Sequence, residues 1–573
     1  MISLRYNYFN YIGDNVFKMI KILQTGFSVM VLAFILSAQT VEVKANELEF
    51  QEEASEIILN SLQKEPKRSF LRKAYKELLF TPVWMRENSL SPAAKELFEY
   101  IRNDNTLNKN GKLYKDSTLL EKMAKNMYSV GDNVYAKVSL EFKISQLYKG
   151  YTDYAYFGSI NWGAFNARIS NLMVNDVSTE WVLHRPEVYP AKMLGNAALG
   201  MSLKKQLDRA VPKAYHYKAL QKALGKYLDI RANGGWEQVL LFKKLKPGEY
   251  SEGVYSLRER LRVMGDYISC DESDESNHYD KCLQKAVKHF QARTGLKEDA
   301  VVGTGTLKEL NKSVDERITT IRLNLDRLKW LNDRASKRHV IINIPDFQLY
   351  FEEGGKLIQT MGVITGTPKH PTPIFSDTVE IIVLNPYWNI PKSIIQKEMI
   401  PKLLKNPNAM AKKGIEIRAG WGKDAKKVSG KSVDWSQYRY SKNMPYRFAQ
   451  VPGHKNALGK VKFLFPNKFS VYMHDTPTKH LFKKNRRAFS HGCIRLQQPR
   501  ELLRTFSTFN DNIDFDKSQE ILKGKKNSYM KLKEKVPVDV VYLTAWVDYD
   551  GKLQFRNDVY KYDEMQLKSF RKW

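Results

Sequence analysis

The sequence predicts a multidomain α+β protein: an α-helical N-terminal region, a small three-helix module, and a mainly-β, sandwich-like C-terminal domain with an insertion. Three observations lead there. The chain has 573 residues, too many for one hydrophobic core. Helix caps and stops recur as far as residue 331. Beyond it the pattern turns to short β-rich runs separated by glycine turns.

Residues 1–45 read as an export signal. Lys18 and Lys21 precede an apolar run from Gly26 to Leu36, and small residues follow at Ser37, Ala38 and Ala45. Met19 offers a more compact start. The run is shorter than the ~20 residues of a comfortable span, which makes an uncleaved membrane anchor the second reading. The mature protein is expected outside the cytoplasm.

Residues 46–250 read as a helical scaffold. Ser91 and Pro92 open a helix as N-cap and first residue, and Asp208 to Ile230 is helical up to the stop at Asn233-Gly234-Gly235. The aromatics Tyr151, Tyr154, Tyr156, Phe157 and Trp162 read as core. The module, 251–312, holds helices at Val254 to Leu261 and Leu283 to Gln291, a polar excursion flanked by Cys270 and Cys282, and a last helix capped by Thr304 or Thr306. A linker helix lies within 313–337 and leads to the C-terminal domain, 338–573.

Strands are expected there at His339 to Ile344, then Gln348 to Phe351 and Lys356 to Gln359 about Glu353-Gly354-Gly355. Others fall at Val379 to Leu384, Phe469 to Met473, and Val538 to Trp546 just after Pro537. Asp550-Gly551 signals a hairpin. A helical and loop insertion covers about 392–448, and its Trp421, Trp435, Tyr438 and Tyr440 read either as a stacking platform or as core, core being the commoner role for any one of them. Short strands with turn signals suit a sandwich or a partly closed barrel.

Lys+Arg 93 against Asp+Glu 62 gives a net charge of +31, which argues for acidic partners without naming them. Nucleic acid, a carboxylate-rich wall polymer and an anionic membrane surface all satisfy it, and most of the charge reads as solvated surface. The three cysteines leave one thiol over in an oxidising compartment. Cys270 and Cys282 are near enough to close a small loop. Cys493 would then be free, and reactivity is the usual reason for a free thiol there.

Cys493 stands in a run equipped to use it. Val471-Tyr472-Met473-His474-Asp475-Thr476 is followed by Ser490-His491-Gly492-Cys493-Ile494-Arg495-Leu496, with fifteen residues, 475–489, between His474 and Ser490. The thiolate is the nucleophile, and a free thiol has a pKa of about 8.5. An adjacent imidazole takes its proton and gives an ion pair ready to attack an amide. Gly492 permits a tight backbone from which amides near Gly492 and Cys493 point at a developing oxyanion. Arg495 either holds a substrate carboxylate or pairs with a nearby acid. Ser490 supports the loop, and His491 either shares in the chemistry or only braces it. Two histidines and a cysteine could hold zinc, but the spacing is no standard metal pair.

The interval between His474 and Ser490-His491-Gly492-Cys493 closely resembles the signature of the L,D-transpeptidase catalytic domain of the YkuD type. Asn385 to Pro391, Asn456 to Phe463, and Gly362 to Gly366 with Thr372-Pro373 resemble further blocks of it. The small module is similar to peptidoglycan-binding modules. The scaffold and the run Asp326-Arg327-Leu328-Lys329-Trp330-Leu331 resemble the large Gram-negative members. The resemblance implies a periplasmic enzyme whose Cys493 attacks the third stem-peptide residue of a tetrapeptide donor and expels the terminal D-alanine. An amine of a neighbouring stem then makes a 3→3 cross-link. It implies His474 as the base, oriented by the backbone carbonyl of Asp475, so the Asp475 carboxylate is no triad acid. The insertion would cap the site against water. No cofactor or metal is called for. The implied partners are peptidoglycan stem peptides and glycan, with carbapenem-type inhibitors and without nucleic acid. Water in place of the amine would make an L,D-carboxypeptidase. A wall-binding scaffold with a lapsed catalytic domain is the rival from another class, and the intact His474 and Cys493 oppose it.

Overall fold

The computed structural model describes residues 38–571 apart from 132, 171–180, 183–186, 213–214, 242, 268–275, 332–337 and 423. The expected export segment up to residue 37, and Cys270, therefore lie outside the described residues; from Ala38 the chain is helical. Among the described residues no helix is long and apolar enough to cross a membrane.

The N-terminal helices Ala38–Gln63, Phe70–Glu77, Pro92–Asn103, Lys112–Val130 and Val134–Phe157 share one apolar core that includes Trp84, Phe98, Ile144 and Tyr148. Ser91 caps its helix as the sequence predicts: its Oγ accepts the Ala94 N–H at 3.1 Å. Inside this core lies a buried carboxylate. Glu141 accepts the Tyr75 hydroxyl at 2.7 Å and the N–H groups of Val83, Trp84 and Met85 at 2.7, 3.0 and 2.8 Å. Burial raises its pKa, and these donors compensate the lost water.

The small module is three helices, Gly253–Val263, Lys281–Arg293 and Thr304–Leu310, around Leu257, Leu283, Val287 and Phe290. The expected threonine cap is absent. Gly303 holds the N-cap position with no side-chain bond. Thr306 instead lies between Gln291 Nε2 and the Val301 carbonyl, each at 3.2 Å, and so serves the core.

The C-terminal strands are β1 (Arg338–Asn343), β2 (Gln348–Glu353), β3 (Lys356–Gly366), β4 (Phe375–Leu384), β5 (Trp388–Asn389), β6 (Ile415–Ala419), β7 (Lys427–Val428), β8 (Tyr446–Gln450), β9 (Val461–Leu464), β10 (Met473–His474), β11 (Ala488–Ser490), β12 (Ile494–Leu496), β13 (Ser528–Val541), β14 (Ala545–Val547) and β15 (Leu553–Phe555). Nine of them pair in the order β11-β3-β12-β10-β9-β4-β13-β1-β2, and β2 pairs back onto β3. Pairing therefore runs round a circuit, and the sandwich-like layers are opposite walls of one sheet. β3 closes it: Lys356 to Gly362 lie against β2, and Val363 onward against β12 and β11. Val340, Ile342, Val363, Ile382, Phe463, Met473, Ile494 and Val538 fill the interior.

Three expectations need correction. The strand foreseen from Phe469 to Met473 is only Met473–His474. Asn467 takes the backbone groups ahead of it: its Oδ1 accepts the N–H groups of Phe469 and Val471, both at 3.1 Å, and its Nδ2 donates to Val471 O at 2.7 Å. The strand foreseen after Pro537 begins at Ser528 and stops at Val541. Pro537 is tolerated inside it because β1 pairs only from Val538 onward, leaving Thr378 of β4 as its one ladder partner. The insertion holds more than helix and loop. β5, β8, β6 and β7 form a second sheet over Ile395, Leu403, Trp435 and Phe448. Trp435 is core, but Trp421 and Tyr440, in the short β6–β7 hairpin and the turn before β8, are 61% and 84% exposed.

The run 326–330 joins scaffold to C-terminal domain. Asp326 accepts the Ser159 N–H at 2.9 Å; Lys329 Nζ and Trp330 Nε1 donate to the carbonyls of Tyr154 and Phe157 at 3.1 and 2.9 Å. Arg327 faces the other way, to the Tyr542 carbonyl at 3.1 Å and Asp563 at 2.7 Å. Gly158 at the seam has φ +73° and ψ −169°, a region essentially reserved for glycine, and a Cβ there would lie 2.5 Å from the Asp326 carboxylate. Gly158→Ala is expected to lower stability by about 2 kcal/mol or more. Thermal unfolding within error of the unsubstituted chain would contradict the seam.

Candidate active site

The register of three strands builds the site. His474 of β10 pairs with Arg495 of β12 in parallel and with Lys462 of β9 in antiparallel fashion. Partners in register point to one face, so Lys462, His474 and Arg495 form a row on the outer face while Met473, Ile494 and Phe463 fill the interior. Two residues earlier along their strands, Tyr472 and Cys493 share that outer face, held abreast by the Ile494 N–H on the Tyr472 carbonyl at 3.1 Å. Lys462 Nζ lies 3.6 Å from the centre of the Tyr472 ring.

His474 is buried. Its Nδ1 lies 2.5 Å from the Asp475 carbonyl oxygen, which assigns that nitrogen the proton and leaves Nε2 as the basic atom. The Asp475 carboxylate points elsewhere, accepting the N–H groups of Lys460 and Thr476 at 2.9 and 2.7 Å and pairing with Lys479 at 2.7 Å. Gly459 has φ +59°, and a Cβ on it would lie 2.4 Å from that carboxylate. The block 456–463 is thus a seat for Asp475.

The loop carrying Cys493 is braced from both sides. Ser490 Oγ accepts the Gly492 N–H at 3.1 Å and donates to the Cys493 carbonyl at 2.6 Å. Thr372 Oγ1 donates to the Gly492 carbonyl at 2.8 Å. Tyr560 in turn donates to Gly366 at 2.7 Å. This corrects one expectation: the Gly492 amide is already engaged and is not free for an oxyanion. His491 Nε2 pairs with Glu398 of the insertion at 3.0 Å and its ring lies 4.9 Å from that of His370, so it faces the cap. Arg495 Nη1 reaches Thr478 Oγ1 at 3.3 Å, and no carboxylate pairs with Arg495 among the described residues. Cys493 is a half-buried free thiol whose Sγ lies 4.0 Å from the Ser470 carbonyl oxygen. Cys282 is disulfide-bonded.

A second expectation also needs correction. Burial, then the Arg495 charge, with Lys462 and Lys479 adding, pushes the His474 imidazole down to about 3. Burial pushes the Cys493 thiol up, with Tyr472, Lys462 and Arg495 opposing. Burial thus disfavours the thiolate–imidazolium pair the sequence suggested, while the two cations favour the thiolate alone. Sequence reasoning passed over Lys462, Tyr472, Glu398 and Tyr560. The alternation Val461-Lys462-Phe463 does mark Lys462 as facing away from the core; Glu398 and Tyr560 carry no local signal.

Residues 337–519 match a family profile described as the L,D-transpeptidase catalytic domain, residues 69–224 one described as a scaffold domain, and residues 250–310 one described as "Putative peptidoglycan binding domain". A "Putative L,D-transpeptidase" of Haemophilus influenzae is 30% identical over 243 residues, 42% of this chain and 48% of that protein. The chain thus spans about half the length of the curated relative it matches. Among solved structures, an L,D-transpeptidase of Stackebrandtia nassauensis is 15% identical with a TM-score of 0.21, over 52% of this chain and 94% of that one. L,D-transpeptidase 3 of Mycobacterium tuberculosis with a faropenem-derived adduct is 13% identical with a TM-score of 0.17, over 36% and 60%. At these scores the likeness assigns no residue a role.

With its thiol raised and no imidazolium beside it, Cys493 should alkylate with iodoacetamide at a rate that climbs about tenfold per pH unit through neutrality. Lys462→Met should slow it at any one pH, since the ammonium lowers the thiol's pKa. Labelling followed by mass spectrometry reads both. A flat rate between about pH 5 and 8 would mean a resting ion pair and overturn the assignment.

Proposed function

As a chain carrying the catalytic domain of the L,D-transpeptidase family together with scaffold and peptidoglycan-binding domains, this protein, we propose, is a periplasmic enzyme that makes 3→3 cross-links in peptidoglycan through a Cys493 acyl-enzyme. The observation that carries this reading is the shared face on which β10 and β12 set Tyr472, His474, Cys493 and Arg495. Cys493 Sγ attacks the carbonyl carbon of the third stem residue as His474 Nε2 takes the thiol proton. The oxyanion forms beside Lys462 and Arg495, where preorganised positive charge stabilises it. The bond to the terminal D-alanine then breaks, and the imidazolium returns the proton to the leaving amine. The acceptor amine attacks the thioester, His474 takes its proton, and the thiol is restored. Because the imidazole is so weakly basic, its proton is held only transiently.

Arg495, with no carboxylate paired to it among the described residues, is suited to the carboxylate of the donor's terminal D-alanine. Ser490 and Thr372 hold the loop, and His491 with Glu398 ties it to the cap. A disulfide at Cys282 beside a free Cys493 suits an oxidising compartment.

Purified full-length protein with tetrapeptide muropeptides tests the reaction. Mass spectrometry should find dimers; tripeptides alone would make the enzyme an L,D-carboxypeptidase. Cys493→Ala should abolish both products, and full activity in that variant would sink the nucleophile. His474→Ala should cost about 10²–10⁴-fold. A larger loss in His491→Ala would reverse the roles of the two histidines. A carbapenem, whose strained amide mimics the donor carbonyl, should leave one adduct on Cys493.

A further inference from the structure

A basic groove opens where the scaffold, the small module and the C-terminal hairpin meet, and none of its residues belongs to the site around Cys493. It is a cavity of ≈600 Å³ whose charged lining is Lys218, Lys222 and Lys226 of helix Tyr215–Ala232, His289 and Arg293 of the module, and Lys552 of the β14–β15 turn. The three helix lysines recur every four residues, so they share one face about 6 Å apart along the axis. All three are exposed, and none forms an ion pair among the described residues. Among the described residues no carboxylate lines the groove. Like charges at this spacing weaken a helix, so the row opposes the fold it stands on unless an anion lies along it.

The walls are fixed relative to one another. His216, in the first turn of the lysine helix, lies 3.2 Å from Glu352 of β2 and 3.0 Å from the Val547 carbonyl. Arg556 donates to the Arg293 carbonyl at 3.0 Å and pairs with Asp346 at 2.6 Å, clamping module to β-domain. Arg293 is itself held by buried Asp266, with Nε at 2.5 Å. The groove is thus preorganised, and its free charge resides on the lysines.

We propose that this groove is a second, non-catalytic peptidoglycan site that takes the carboxylates of an uncross-linked stem peptide. One wall belongs to the segment that matches the peptidoglycan-binding profile, and the other is a row of ammonium groups, point charges suited to carboxylates repeated along a polymer. The proposal rests on the reading that peptidoglycan is the substrate, and it assigns the groove the task of holding the polymer on the enzyme between turnovers.

The test is cosedimentation of the full chain with isolated peptidoglycan sacculi, beside sacculi whose carboxylates have been amidated. Lys218→Gln, Lys222→Gln and Lys226→Gln together should weaken binding about tenfold. Lys552→Glu, from a different domain, should weaken it in the same direction, and amidated sacculi should bind the unsubstituted chain no better than native sacculi bind the triple variant. Unchanged binding in both variants would overturn the proposal. So would a loss seen only with phosphatidylglycerol vesicles, which would make the groove a membrane contact. Muropeptide cross-linking by the unsubstituted chain is read separately, so failure of the groove and failure of the proposed reaction give different results.

Discussion

The parallel pairing of β10 with β12 covers only Met473 with Ile494 and His474 with Arg495, yet it decides which side chains stand together outside the barrel. A slip of one residue would send His474 inward and Met473 out. The register is held from both faces. Met473 and Ile494 are fully buried, and moving either would open a cavity in the core. On the other side the Asp475 N–H binds the Val461 carbonyl at 2.8 Å, and the Asp475 carboxylate fits against Gly459. The orienting carbonyl for His474 thus comes from a residue fixed by its own side chain.

That arrangement sets the electrostatics. Burial alone would disfavour both an imidazolium and a thiolate, but the neighbours act on them in opposite senses. Lys462 and Arg495 push the imidazole further down and draw the thiol back. Negative charge is therefore the charge the site is built to receive, whether on sulfur or on the oxygen of a tetrahedral intermediate. Raising the thiol's pKa also slows its oxidation, an advantage for a half-exposed cysteine in the oxidising compartment proposed for this protein.

The residues whose part is local were legible in the sequence. His474 and Cys493 stood out by their interval, the Ser91 cap by residue type, and the hairpins at 353–355 and 550–551 by their glycines. What escaped depends on partners far along the chain. Glu398 meets His491 only because a π-helical turn, Ile395–Met399, brings the insertion to the loop. Thr372 reaches Gly492 across 120 positions. The sheet of the insertion was hidden because β6 pairs with β8 some thirty residues on and both strands are only five residues long. The strand foreseen at 469–472 failed for the opposite reason: one asparagine, Asn467, satisfies the backbone locally and outbids a ladder.

The run 326–331 shows how a segment can mark a protein's organisation without entering its chemistry. Asp326 and Lys329 are both buried, and burial shifts them in opposite directions, the acid up and the amine down. Each nevertheless meets groups that need it. Lys329 covers a carbonyl in the last turn of helix Val134–Phe157, where the macrodipole favours a cation, and Asp326 takes the first free N–H beyond that helix. The Tyr154 carbonyl also accepts the Gly158 N–H, so it is the Ser159 N–H that an apolar residue in place of Asp326 would leave without its partner. Arg327, between them in sequence, turns the opposite way into the C-terminal domain. The polar contacts of Asp326, Arg327 and Lys329 thus fix the scaffold against the β-domain, next to the groove in which the lysine row of helix Tyr215–Ala232 meets the module and hairpin.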